Sequence, residues 1–125
     1  MLLPYKIGSN FPTKDKLPKF LSSHVVYKYV CAGCNASYIG LTTRQLVTRV
    51  NEHLDTEKGA TAIAQHLKKS HACRDKCSSD CFTIIDKGTS GTTLAIKEAI
   101  HIKRESPSLN VQIKHETITL LLNTL

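Results

Sequence analysis

The sequence predicts an α+β fold: a small three-stranded sheet, antiparallel or mixed, flanked by helices. Three observations carry this. Two runs rich in β-branched and aromatic residues, "HVVYKYV" and "SYIGLT", flank "CAGCNA", whose Gly33 and Asn35 suit a hairpin turn. Three later segments repeat apolar residues at helical spacing. A short third strand, "CFTIID", precedes the last of them. At 125 residues, 41% of them hydrophobic, the chain suits a single domain with a real core.

Residues 1–22 hold Pro4, Pro12 and Pro18 with Lys6, Lys14, Lys16 and Lys19 between them, and read as a basic, extended arm or linker. In the first strand Val25, Tyr27 and Tyr29 share one face, and Val26, Lys28 and Val30 the other. Tyr27 and Tyr38 then stand on adjacent strands, with Tyr29 a packing residue. In "TTRQLVTRVNEHLD", Thr42 and Gln45 fit a capping box, and Leu46, Val47, Val50 and Leu54 form the apolar stripe. Arg49 and His53, four apart, stack one turn above the other. "GATAIAQHLKKSH" is a second helix with Ile63, Ala64 and Leu67 inward, ending near Ser70–His71. "CRDKCSSD" reads as a polar loop and "KGTSGT" as a turn. The third helix, "TLAIKEAIHIKRE", carries Ala95, Ile96, Ala99, Ile100 and Ile102 as its apolar set and stops at Ser106–Pro107. The expected organisation is an arm over 1–22, a domain over 23–110 and a tail over 111–125 that reads equally as strand, helix or frayed end.

The formal charge of +7 favours polyanionic partners, nucleic acid above all. No run approaches the ~20 apolar residues of a membrane span. The opening "MLLPYKIGSN" is too short in apolar residues for a signal peptide, so an intracellular, reducing location is expected. There the odd set of five cysteines suggests metal binding or plain thiols rather than disulfides. Cys31-x-x-Cys34 on a tight turn is one half of a zinc site. His66 and His71 have the spacing of the other half, separated from Cys34 by a gap of 31 residues, too long for an ordinary DNA-reading finger. Cys31, Cys34, His66 and His71 are thus the expected structural zinc ligands, stapling the hairpin turn to the second helix. Rival sets put Cys73 in place of His66 or His71; otherwise Cys73, Cys77 and Cys81 read as thiols.

"VVY", ten further residues and "YIG" resemble the signature of the GIY-YIG nucleases, with Val25–Val26 where that family has Gly–Ile. Arg49 and His53, Glu98 on the third helix and Leu109-Asn110 after it match the family's later positions. The Cys-x-x-Cys within the hairpin, the His-x4-His and "KDKLP" ahead of them narrow the resemblance to the endonuclease domain of Penelope-like retroelements. The resemblance implies a divalent-metal-dependent DNA endonuclease acting in the nucleus in retroelement insertion, with a reverse transcriptase domain of the parent polypeptide as a partner. It implies Tyr27 as general base, Tyr38 orienting water and phosphate, and Asn110 bracing the site. Residue chemistry agrees. Glu98 offers a hard oxygen to Mg²⁺ or Mn²⁺, Arg49 can clamp a phosphate bidentately, and His53 can take a proton from Tyr27. Lys28, Arg44, Lys68, Lys69, Lys103 and Arg104 are candidate phosphate contacts. The alternative is a zinc-stapled DNA-binding module without catalysis, which Val25–Val26 in place of Gly–Ile keeps open.

Overall fold

The strand Val25–Val30 (β1) lies at the centre of a three-stranded sheet, between Ser37–Thr42 (β2) and Phe82–Lys87 (β3). The structure is a computed structural model and describes residues 16–110. Its helices are Lys16–Leu21 (α1), Leu46–Leu54 (α2), Ala62–Lys69 (α3), His71–Lys76 (α4) and Gly91–Glu105 (α5), with a single 3-10 turn at Ser79–Cys81. Both strand pairs are antiparallel, so the fold is α+β with a purely antiparallel sheet. The hairpin register sets Tyr27 opposite Gly40 and Tyr29 opposite Tyr38. On the other side Val26 faces Asp86 and Tyr27 faces Ile84, so β3 bulges at Ile85.

The strand's alternation decides the layers. Val25, Tyr27 and Tyr29 are buried on one face with Phe20, Leu46, Val50, Ile63, Leu67 and Phe82, beneath α1, α2 and α3. Val26 is buried on the other with Ile39, Leu94 and Ile102, beneath α5. A central strand covered on both faces is well served by valine and tyrosine, which fill a pleated surface.

Four sequence expectations change here. First, the reading of 1–22 as an extended arm fails for its last part, because Lys16–Leu21 is helical. Pro18 sits in its first turn, where a missing N–H costs little. Phe20 is buried in the core, and Leu46 N donates to Ser22 O at 2.9 Å. The fold therefore reaches back at least to Lys16. The expectations for residues 1–15 and for the tail over 111–125 lie outside the described residues.

Second, Thr42 does not cap α2. It ends β2 opposite Val25, and its Oγ1 accepts from Arg44 N at 3.1 Å. Gln45 is the N-cap residue and makes no side-chain cap. Sheet pairing outcompetes the capping box. Third, the polar loop after Ser70 contains α4, whose N-cap is the Ser70 hydroxyl, accepting from Cys73 N at 3.3 Å. Fourth, α5 buries Leu94, Glu98 and Ile102 on successive turns, while Ile96 and Ile100 are 57% and 49% exposed. The helix puts a carboxylate, not its isoleucine-rich face, toward the sheet.

Candidate active site and metal centre

Tyr27 is fully buried, and its hydroxyl meets two polar side chains from α2. His53 Nε2 lies 2.6 Å from it, and Arg49 Nε donates to it at 3.3 Å. The i,i+4 spacing brings both residues to the Tyr27 face of the sheet. His53 is itself fully buried, stacked on Phe82 with ring centroids 5.8 Å apart, and its Nδ1 lies 2.8 Å from Thr61 Oγ1. Burial, helped by the Arg49 charge, pushes the His53 pKa down to about 3, so the ring is neutral at physiological pH. Burial and the nearby Tyr38 push Tyr27 up, against the opposing pull of Arg49, and Glu98 adds to the rise. Tyr27 at rest is therefore a neutral phenol.

Gly40 makes room for this phenol. A Cβ there would lie 2.6 Å from the Tyr27 hydroxyl oxygen and 2.8 Å from Tyr38 Cε2. The glycine of "YIG" thus serves close approach of the facing tyrosine. Tyr38 is half-buried, its ring 6.4 Å from that of Tyr27 and edge-on to His53 at 5.5 Å. Asn110 clips the outer edge of β2: its Oδ1 accepts from Ile39 N at 2.7 Å, and its Nδ2 donates to Ile39 O at 2.8 Å. Leu109 N donates to Ser37 O at 2.8 Å in the same seam. One amide side chain so supplies both ladder partners that an edge strand lacks.

An open pocket of about 810 Å³ adjoins these residues, with Tyr38, Arg49, Asn110, Thr61, Arg44 and Glu52 in its wall. Tyr27, His53 and Glu98 are not part of the wall. Glu98 is buried on α5 and acts electrostatically on Tyr27. Glu52 bridges two arginines, Arg44 at 2.8 Å and Arg49 at 2.9 Å. The hydrogen bond from Arg44, helped by Arg49, holds its carboxyl below the usual range. Of the basic candidates, Lys28 pairs with Glu105 and Arg44 with Glu52, while Lys68, Lys69, Lys103 and Arg104 are exposed.

The group that could hold a metal ion is Cys31, Cys34, His66 and Cys73, whose donor atoms all lie within 4.8 Å of one another. Three sulfurs and one imidazole can hold a metal ion and suit a tetrahedral structural zinc. Cys34 Sγ lies 3.5 Å from His66 Nε2. The turn has the form such ligands need: Asn35 takes a left-handed φ of 64°, and Gly33 N donates to Cys31 Sγ at 3.4 Å. Although burial opposes it, hydrogen bonds from His66, from the Gly33 and Cys34 amides and from Tyr29 bring the Cys31 pKa down to about 5. Gly33 also admits α4, since a Cβ there would lie 2.8 Å from Cys73 Sγ and 2.9 Å from its Cα.

His71, expected as the fourth ligand, is exposed and outside the group; Cys73 takes the place. Ser70 is the cause. Its extended backbone (φ −128°, ψ 103°) ends α3 and starts α4, which turns Cys73 inward. Cys77 and Cys81 are not members. Cys77 Sγ nevertheless lies 3.5 Å from Cys31 Sγ and 3.1 Å from the Tyr29 hydroxyl, and burial pushes its thiol up to about 11.

The structure therefore brings Tyr27, Tyr38, Arg49 and His53 together, buries Glu98 on α5 and uses Asn110 on the strand edge. Sequence reasoning missed Thr61 and Glu52. Thr61 carried a signal, as an N-cap residue ahead of "AIAQHL"; Glu52 carried only its three-residue spacing from Arg49. Compared with protein-family models, with curated proteins and with solved structures, the chain matches none of them.

Proposed function

We propose that this chain is a divalent-metal-dependent DNA endonuclease domain whose hairpin is stapled by structural zinc. The observation that carries the reading is the Tyr27 hydroxyl held between His53 Nε2 and Arg49 Nε, behind a pocket walled by Tyr38 and Arg49. Its resemblance to the GIY-YIG nucleases, and among them to the endonucleases of Penelope-like retroelements, supplies the substrate class.

In this reading substrate entry opens the Tyr27 hydroxyl to the adjoining pocket, and Tyr27 takes a proton from the attacking water as its own proton passes to His53 Nε2. Tyr27 rests as a neutral phenol because burial raises its pKa, so the two transfers are coupled and build up no standing phenolate. Arg49 stabilises negative charge on the Tyr27 oxygen and on a phosphate in the pocket, where Glu52 holds its guanidinium. Water oxygen bonds to phosphorus, the bond to the departing sugar oxygen breaks, and that oxygen takes a proton from solvent water in the open pocket. Glu98 offers a buried carboxylate to Mg²⁺ or Mn²⁺, which, when bound, would supply Lewis-acid stabilisation of the phosphoryl charge. Water and phosphate oxygens would complete such a site. Lys68, Lys69, Lys103 and Arg104 are exposed, and in this reading they would contact DNA phosphates without reading sequence.

A second reading, a zinc-stapled DNA-binding module without catalysis, is favoured by the complete burial of Tyr27 and His53. Supercoiled plasmid with Mg²⁺ or Mn²⁺ separates the two. The nuclease reading expects wild type to nick and Arg49→Ala to retain plasmid without cutting. Equal cutting by both proteins sinks the assigned site, and salt-sensitive retention without cutting by either favours the second reading.

A further inference from the structure

Both ring nitrogens of His53 are engaged, and the proton positions around them form one consistent set. The Tyr27 hydroxyl oxygen has two hydrogen-bonding partners among the described residues, His53 and Arg49. Arg49 can only donate. The Tyr27 proton therefore goes to His53 Nε2, which must present a lone pair. The neutral ring then carries its own proton on Nδ1 and donates it to Thr61 Oγ1, 2.8 Å away. Thr61 Oγ1 also accepts from Ala64 N at 3.1 Å as the N-cap of α3. Two donors meet the two lone pairs of one hydroxyl. The opposite tautomer leaves the buried Tyr27 proton without an acceptor.

We propose that Thr61 is a positioning residue: it accepts the Nδ1 proton of the tautomer that Tyr27 and Arg49 select, and so keeps the His53 ring turned with Nε2 toward Tyr27 as a proton acceptor. Its place is set by what anchors α3, namely Ile63, Ala64 and Leu67 in the core and His66 in the Cys/His group. The helix that carries a metal ligand thus also delivers the acceptor that orients His53. The tautomer stands apart from the nuclease reading; only its effect on cleavage rests on that reading.

The test is long-range ¹H–¹⁵N NMR of the histidine rings in the zinc-loaded chain, with plasmid nicking measured alongside. Wild type and Thr61→Ser should show His53 protonated at Nδ1. Thr61→Gly keeps an acceptable N-cap residue but has no acceptor. It should keep the Nδ1–H form, lose the hydrogen-bonded downfield shift of the Nδ1 proton, and show a kcat fall of roughly ten- to a hundredfold at unchanged KM. An Nε2–H ring in wild type overturns the proposal, and decides it even if the glycine variant does not fold. So does a glycine variant whose Nδ1 proton keeps its wild-type shift, whatever its activity. A wild type that does not nick, with the expected change of the Nδ1 proton in the glycine variant, supports the positioning role and removes the nuclease reading alone.

Discussion

Replacing Gly40 by alanine should disrupt the site from the far strand. The new Cβ would meet the Tyr27 hydroxyl oxygen at 2.6 Å and Cζ at 2.8 Å, where about 3.4 Å is ordinary contact, so the hydroxyl must retreat by about 0.8 Å (3.4 − 2.6). Tyr27 and His53 are both fully buried and have no solvent to move into. A shift that large does not preserve both the 2.6 Å contact with His53 and the 3.3 Å bond from Arg49. Overpacking and one weakened hydrogen bond together amount to roughly 2–3 kcal/mol. For a domain of this size the melting temperature should fall by on the order of 10 °C. Calorimetric or circular-dichroism melts read this directly. Tyr27→Phe removes the closest atom, so the double variant should lose less than the sum of the single losses. A Gly40→Ala protein melting within about 1 °C of wild type refutes the reasoning.

Three other outcomes follow from the geometry. Cys73→Ser should lower the zinc content of the purified chain well below one per chain, while His71→Ala leaves it unchanged; metal analysis showing the reverse restores His71 as the ligand. Asn110→Ala should cost roughly 1–3 kcal/mol in urea denaturation, because Ile39 N and O lose their buried partner together. A folded-state pKa of about 3 for His53 lies below the unfolded value of about 6.5, so the unfolded chain binds the proton first as pH falls. The stability that neutral His53 contributes is present above pH ~6.5 and is lost progressively toward pH ~3, and its ring resonances should not titrate between pH ~8 and ~5. A His53 midpoint near pH ~6.5 contradicts the buried, neutral ring.

The hairpin was the most legible part of the chain, because a period of two assigns every side chain in "VVYKYV" to a face once one face is buried. That put Tyr27 and Tyr38 on adjacent strands, and the four-residue spacing put Arg49 and His53 together. The misreadings came where two local rules compete. Thr42 satisfies a capping box on paper but belongs to the ladder. Ser70 ends one helix and caps the next, so counting along a single helix end pointed to His71 and away from Cys73. In α5 the isoleucines drew the apolar face to the wrong side, because burial there selects Leu94, Glu98 and Ile102. A buried carboxylate in a helix's inward face breaks the pattern that sequence reading relies on. Thr61 and Glu52 act through contacts across loops and turns, and only coordinates show whom they touch.

Catalysis is decided most directly by Glu98→Gln, which keeps the side-chain shape and removes the charge offered to a divalent cation. Conversion of supercoiled plasmid to nicked or linear DNA should be measured for wild type and Glu98→Gln with Mg²⁺ and with Mn²⁺. Wild type should convert the plasmid in a metal-dependent way, and a folded Glu98→Gln protein should not. Wild type that binds the plasmid but cuts it with neither ion, or a Glu98→Gln variant that cuts at the wild-type rate, contradicts a catalytic role.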